Sequence, residues 1–197
     1  KVLENSKLKI INFHNALLPR HRGRNAPTWA IYAMEERTGI TWHEVNAGID
    51  TGNIIIQKEV PIGHRTTALE LVRECMVAGV DAFREIISPV LAGEYPSRPQ
   101  TGPEEHELHY SWEVPNNGYL DITWPIQKIS AFLRSLDYGK AAVFPKPRMV
   151  VLGREYTISG YRIQDGKEEK GFMMTGHNAI LKDSGIVLFL SFEGGYE

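Results

Sequence analysis

Residues 1–100 alternate between strand and helix signals, and this restricts the fold more than any other feature of the chain. Leu8-Lys9-Ile10-Ile11-Asn12-Phe13 is a short strand-like run. Asn25 offers a helix N-cap with Pro27 just inside the start, so Thr28 through Arg37 read as a helix that Gly39 stops. Residues 40–45 alternate with period two, as a half-buried strand does. Turn chemistry at Gly48-Ile49-Asp50-Thr51-Gly52 separates them from a β-rich run over 54–60. Leu69, Val72, Met76, Val80, Phe83 and Ile87 then recur at spacings of three and four, which predicts a long amphipathic helix ending near Gly93. Strands interleaved with helices imply an α/β layer.

The remainder reads differently. Residues 94–120 carry Pro96, Pro99, Pro103, Pro115 and Gly118 with few apolar runs, as a linker or extended loop would. Ile126, Ile129, Phe132, Leu133 and Leu136 mark one short amphipathic helix. Strand-like runs follow at 148–152, 155–161, 171–175, 179–181 and 186–192, broken by Gly153, Gly166, Gly176 and Gly185. Short strands so closely spaced suggest a small barrel or open barrel. The expected organisation is an α/β unit over 1–100, a linker over 101–117 and a small β-rich domain over 118–197.

Composition removes several function classes. Lys and Arg number 22 against 24 Asp and Glu, a net charge of −2, so the chain as a whole is no trap for nucleic acid or an anionic membrane. Its longest apolar runs fall far short of the roughly 20 residues that span a bilayer. A single cysteine, Cys75, fits a reducing compartment and reads as a buried small hydrophobe beside Met76. No signal-peptide pattern follows Lys1, and the expected location is cytoplasmic. Neither GxGxxG nor GxxxxGK[ST] occurs. His106-Glu107-Leu108-His109 spaces its histidines by three rather than the four of zinc proteases, so it is read as a surface pair and no metal is expected.

Candidate chemistry concentrates near the first two strands. If those strands run parallel, His14 just past the first and Asp50 in the loop after the second come to one edge of the sheet, where open α/β layers place ligands. Asn12 lies two residues before His14 and shares its face. A carboxamide, an imidazole and a carboxylate meet there on this reading. The alternative is a plain strand end and a turn hydrogen bond.

Asn12-Phe13-His14-Asn15-Ala16-Leu17-Leu18-Pro19, then Arg22-Gly23, then Gly48-Ile49-Asp50-Thr51-Gly52, resemble the folate-dependent formyltransferase family. That family includes formyltransferases of glycinamide ribonucleotide, methionyl-tRNA and sugar nucleotides. The resemblance covers about 8–95 and extends more loosely to Gly118–Trp124 and Phe132–Leu136. Asn15-Ala16 and Leu136-Asp137-Tyr138-Gly139 look more like the sugar-nucleotide members. It implies a Rossmann-like catalytic sheet of which 1–100 is the second half. The first half of the family's sheet precedes the Asn-x-His strand and is not in this sequence.

The resemblance also implies the chemistry. A primary amine attacks the formyl carbon of 10-formyltetrahydrofolate, and charge develops on the formyl oxygen, which calls for preplaced donors. Asn12 and His14 are assigned to that oxygen. Asp50 is assigned to orient His14, raise its pKa and accept the amine proton. Val45, Asn46, Ala47, Gly48 and Ile49 resemble the folate-binding loop. Arg20, His21, Arg22 and Arg24 form a basic cluster ahead of a helix, which suits either a substrate diphosphate held by Arg20 and Arg22 or a solvated loop. The expected substrate is a nucleotide-linked amino-dideoxysugar, with a homodimer expected by analogy. Methionyl-tRNA is the alternative acceptor, although residues 121–197 hold 10 Lys and Arg against 9 Asp and Glu, little charge for gripping RNA. A non-catalytic binding module is the third reading.

Overall fold

A computed structural model describes residues 9–101, 108–166 and 170–193. The chain forms β1 (Ile11–His14), β2 (Arg22–Gly23), α1 (Ala26–Tyr32), β3 (Arg37–Glu44), β4 (Ile54–Pro61), α2 (Ala68–Ala92) and β5 (Leu108–His109). It continues with β6 (Tyr119–Leu120), α3 (Ile126–Ser135), β7 (Arg148–Val151), β8 (Arg154–Asp165), β9 (Gly171–Thr175), β10 (Asn178–Asp183) and β11 (Ile186–Phe192). Two compact units result. One holds the described parts of 1–30, 35–63 and 69–113, the other 31–34, 64–68 and the described parts of 114–197.

In the first unit β1, β3 and β4 make a three-stranded sheet in that order. β1 runs antiparallel to β3, with Asn12 opposite His43 and His14 opposite Thr41, so the parallel strand–helix–strand unit expected from the sequence is not what forms. The helix between them, α1, is also shorter than its periodicity suggests. Met34 adopts φ +58°, Glu35 N–H donates to Ala30 and Met34 N–H to Ile31, and this left-handed cap ends the helix near Tyr32. Asn25 precedes it with φ +57° and offers its carbonyl to Thr28 N–H. Gly39 therefore stops nothing. It sits inside β3, where a Cβ would meet the Lys58 carbonyl at 2.2 Å and Leu17 at 2.5 Å.

α2 forms as its spacing demands, but the fully covered face is Leu71, Cys75, Ala82 and Ile86. Of the residues that defined the pattern, Met76 and Val80 are about half exposed beside an open apolar groove of about 300 Å³ with Phe13, Trp42 and Phe83. Leu108–His109, within the proline-rich stretch, pair in parallel with Arg22–Gly23.

The second unit is a six-stranded sheet, β6-β7-β8-β11-β10-β9, antiparallel except for β6 against β7. Inward positions of its strands and the apolar stripe of α3 close one core, with Phe132, Leu133, Met149, Leu188 and Leu190 essentially inaccessible. The fold is thus an α/β sheet unit followed by a small open β module.

Candidate active site

β1 ends with Asn12 and His14 on one face, and the loop over Gly48–Gly52 folds back from β3 to bring Asp50 against them. Gly52 makes that return possible, since a Cβ there would lie 1.7 Å from the Glu44 carbonyl. Gln100 fastens the loop from outside, its Nε2 donating to the carbonyls of Asp50 (2.7 Å) and Gly52 (2.8 Å). Asp50 Oδ2 lies 3.4 Å from His14 Nδ1 and accepts a 2.8 Å bond from Gly23 N–H, while Asn12 Nδ2 approaches Oδ1 at 3.4 Å. The three residues named from the sequence do converge, and a turned-back loop rather than parallel strands brings them together.

A fourth side chain joins them. His43, almost completely buried on β3, faces Asn12 Nδ2 at 3.2 Å and Asp50 Oδ1 at 3.4 Å through Nε2. Its Nδ1–H donates to the Glu44 carbonyl (2.8 Å), so in the neutral ring Nε2 is the acceptor that Asn12 fills. Sequence reasoning missed His43, Gly23 and Gln100 as site residues. The available signal for His43 was its register opposite Asn12, which only the antiparallel pairing supplies.

His14 is held between two oxygens, with Nε2–H donating to the His21 carbonyl at 2.8 Å and Nδ1 facing Asp50. Burial has the largest influence on its pKa and lowers it below the usual 6.5. Asp50 and the His21 carbonyl act in the opposite direction without making up the difference. Asp50 does raise the His14 pKa as expected, but desolvation of the imidazolium outweighs a carboxylate 3.4 Å away and the net shift is downward. For Asp50, burial is likewise the largest influence and raises the pKa. The His43 contact, the His14 charge and Gly23 N–H together outweigh it, and the carboxyl titrates below its ordinary 3.8.

Upstream, the loop from Asn15 to Pro19 is tied to β3. Leu18 N–H donates to Thr41 Oγ1 (3.1 Å), whose hydroxyl donates to the Ala16 carbonyl (2.6 Å). Arg20 pairs with Glu35, and Arg22 lies in β2 opposite Leu108. In the loop over 45–49, Val45 N–H donates to the Ile10 carbonyl (2.9 Å), and Asn46 Oδ1 accepts from Gly48 N–H (3.1 Å) and Thr51 Oγ1–H (2.7 Å). Residues 46–49 are exposed. His109 is buried rather than a surface residue, and its suggested companions His106 and Glu107 lie outside the described residues. Cys75 is buried and its thiol is pushed up to about 12, too high for a nucleophile near neutral pH. Among the described residues no group of three or more His, Cys, Asp or Glu is placed to hold a metal ion, and no helix is long and apolar enough to cross a membrane.

Residues 1–87 match the formyl transferase family. That match covers the first 87 of the 197 residues, the stretch that holds Asn12, His14, His43 and Asp50. Among curated relatives, it is 27% identical to the GDP-perosamine N-formyltransferase of Brucella melitensis biotype 1, over 80% of this chain and 58% of the relative. It is 34% identical to the methionyl-tRNA formyltransferase of a Synechococcus species, over 58% of this chain and 38% of the relative. The chain thus spans less than two thirds of either relative's length. The N-formyltransferase of Helicobacter canadensis, solved with folinic acid and dTDP-3-aminofucose, superposes with a TM-score of 0.73 over 93% of this chain and 66% of its own, at 19% identity. That likeness is one of fold, and the stretch that matches the family shares it together with the β module.

Proposed function

We propose that the protein transfers a formyl group from 10-formyltetrahydrofolate to the primary amine of a nucleotide-linked amino-dideoxysugar, with Asn12, His14 and Asp50 as the catalytic residues. On this reading residues 1–100 hold part of the catalytic domain, 101–117 connect, and 118–197 form the smaller domain. The observation that carries it is that Asn12 Nδ2 and His14 Nδ1 each lie 3.4 Å from an Asp50 carboxylate oxygen, inside the stretch that matches the formyl transferase family.

The residues present fit the folate. The loop over 45–49 is shaped by the Val45 bond to Ile10 and by Asn46 Oδ1, which accepts from Gly48 N–H and Thr51 Oγ1–H, and it leaves Ile49 half exposed as an apolar edge for a flat ring. Bound there, the cofactor supplies an activated formyl group. The chain's own groups do the rest. Asn12 lies at the surface of the cluster, and its two contacts are the long ones of 3.2 and 3.4 Å, so its amide can exchange them for the formyl oxygen. His14 keeps its 2.8 Å bond from Nε2–H to the His21 carbonyl, so the ring that serves that oxygen is the doubly protonated one, favoured by Asp50 3.4 Å away, whose Nδ1–H can turn toward the developing charge. Asp50, ionised at neutral pH, orients the ring and receives the proton that the attacking nitrogen loses, directly or through one water. Arg20 and Arg22 are the proposed diphosphate contacts, with Arg20 able to leave Glu35 because its side chain is half exposed.

Support for a sugar acceptor comes from the GDP-perosamine enzyme, 27% identical over 80% of this chain, and from the near-neutral charge of residues 121–197. The greater percentage identity to methionyl-tRNA formyltransferases favours the second reading. The test is formyl transfer by the full-length protein to a panel of GDP- and dTDP-linked amino sugars and to charged initiator tRNA. Turnover of an amino sugar supports the first reading and turnover of tRNA the second. No transfer to any acceptor leaves a binding module.

A further inference from the structure

Backbone groups of the short segment 21–23 grip both members of the His14–Asp50 pair. The His21 carbonyl accepts the 2.8 Å bond from His14 Nε2–H, and Gly23 N–H donates to Asp50 Oδ2 at 2.8 Å. These are the shortest contacts that either side chain makes in the cluster. Whatever fixes residues 21–23 therefore fixes the aim of the imidazole.

The segment does not fix itself. His21 has φ +49°, a left-handed backbone that an ordinary side chain adopts only when its surroundings hold it there. Its buried ring is held at both nitrogens: Nε2 lies 2.9 Å from Glu35 Oε1, which also pairs with Arg20, and Nδ1 lies 3.4 Å from His109 Nε2. His109 is in turn buried. It stacks on Trp29 at 4.1 Å with the rings 6° apart, and its Nδ1 lies 3.5 Å from Glu113. Its backbone completes the grip, because Gly23 pairs with His109 in the β2–β5 ladder and Arg24 N–H donates to the His109 carbonyl at 2.8 Å. Gly23 allows this approach, since a Cβ would fall 2.2 Å from that carbonyl.

We infer that His21 and His109 are positioning residues, a paired-imidazole clamp that sets the His21 carbonyl and through it the orientation of the His14 ring. Neither imidazole contacts the His14 side chain or a reacting atom; both act through the His21 backbone. The kinetic consequence rests on the formyl-transfer reading, whereas the clamp itself does not.

The test uses the full-length protein and two readouts. One is the nitrogen-15 spectrum of the His14 imidazole, in which the Nε2 proton is expected to exchange slowly with solvent. The other is kcat and KM for the amine substrate. His21→Asn tolerates the left-handed backbone but is too short to reach both partners, and His109→Ala removes the second ring. Both are expected to speed exchange of the His14 Nε2 proton and to lower kcat on the order of ten- to a hundredfold. KM should stay within about twofold, because binding groups are untouched. His109→Gln, which can still bond His21, should restore both readouts. Native exchange of that proton in folded His21→Asn and His109→Ala overturns the clamp. Where those two variants do not fold, Glu35→Gln carries the test: faster exchange supports the clamp and native exchange overturns it. If the unmodified protein transfers no formyl group, the functional reading fails, and the His14 spectrum alone still decides the clamp.

Discussion

The two units bury polar groups in opposite ways. In the first, four histidines (His14, His21, His43 and His109) are buried, and their contacts cross segments up to 88 residues apart. In the second, the buried polar residues among those described are Ser130, Arg134 and Ser135 on α3. Their bonds go to nearby or backbone partners, Ser135 Oγ–H to the Phe132 carbonyl and Arg134 to Ser130 and the Thr66 carbonyl. The β module uses polarity to satisfy its helix and relies on an apolar core. The sheet unit gathers desolvated, mutually dependent titratable groups around a partly exposed carboxamide, an arrangement that costs stability and suits chemistry.

The contrast can be broken by substitution. Phe132→Ala in the apolar core should have the largest effect, about 3–5 kcal/mol of unfolding free energy, measured by denaturant titration. Because the β module carries no proposed catalytic group, that variant should keep its per-molecule turnover while folded. His14→Ala or Asp50→Ala should do the reverse. Turnover should fall about a hundred- to a thousandfold while circular dichroism shows both variants folded, and near-normal turnover by either variant would remove the proposed mechanism.

Gly39→Ala lies between the two cases. A methyl against the Lys58 carbonyl and Leu17 should destabilise by about 1–3 kcal/mol, and activity should follow, because Leu17 belongs to the loop pinned by Thr41. A stable, fully active variant would show that β3 and β4 can separate there without disturbing the site.

The pH dependence sharpens the comparison further. The folded His14 pKa lies below 6.5, so between those values the unfolded chain binds the proton more readily. Stability from this group is complete above about pH 6.5 and is lost as pH falls through that window. Asp50, also lowered, adds stability above its usual 3.8 that disappears as pH falls through its folded value. Both groups make the protein acid-sensitive. Denaturant titrations at several pH values should show His14→Gln with a shallower loss between neutral and mildly acidic pH, and an unchanged slope would contradict the burial argument. Smallest of all, Arg37→Ala breaks an exposed pair with Glu59 and should cost at most about 1 kcal/mol.

Much of this is legible in the sequence. Strands β7 to β11, helix α3 and the extent of α2 follow from local periodicity, and Asn12, His14 and Asp50 stood out through the motifs that resemble the formyltransferase family. What misled was equally specific. Residues 28–37 continue a helical pattern through Met34, whose left-handed backbone is unusual for its side chain and leaves no mark in the sequence. The pattern on α2 marked apolar residues correctly but not which of its two apolar faces is covered. His109 sat in a proline-rich stretch with no periodicity, so its burial against Trp29 had no local signal.

The sequence alone determined the longer elements, α2, α3 and β7 to β11, because those depend on the spacing of neighbours along one segment, and its resemblance to the formyltransferase family singled out Asn12, His14 and Asp50. Tertiary structure decided that β1 and β3 run antiparallel, that His43 joins the cluster, and that burial rather than Asp50 governs the His14 proton. These outcomes depend on which distant surfaces exclude water from one another, and no local spacing encodes that balance.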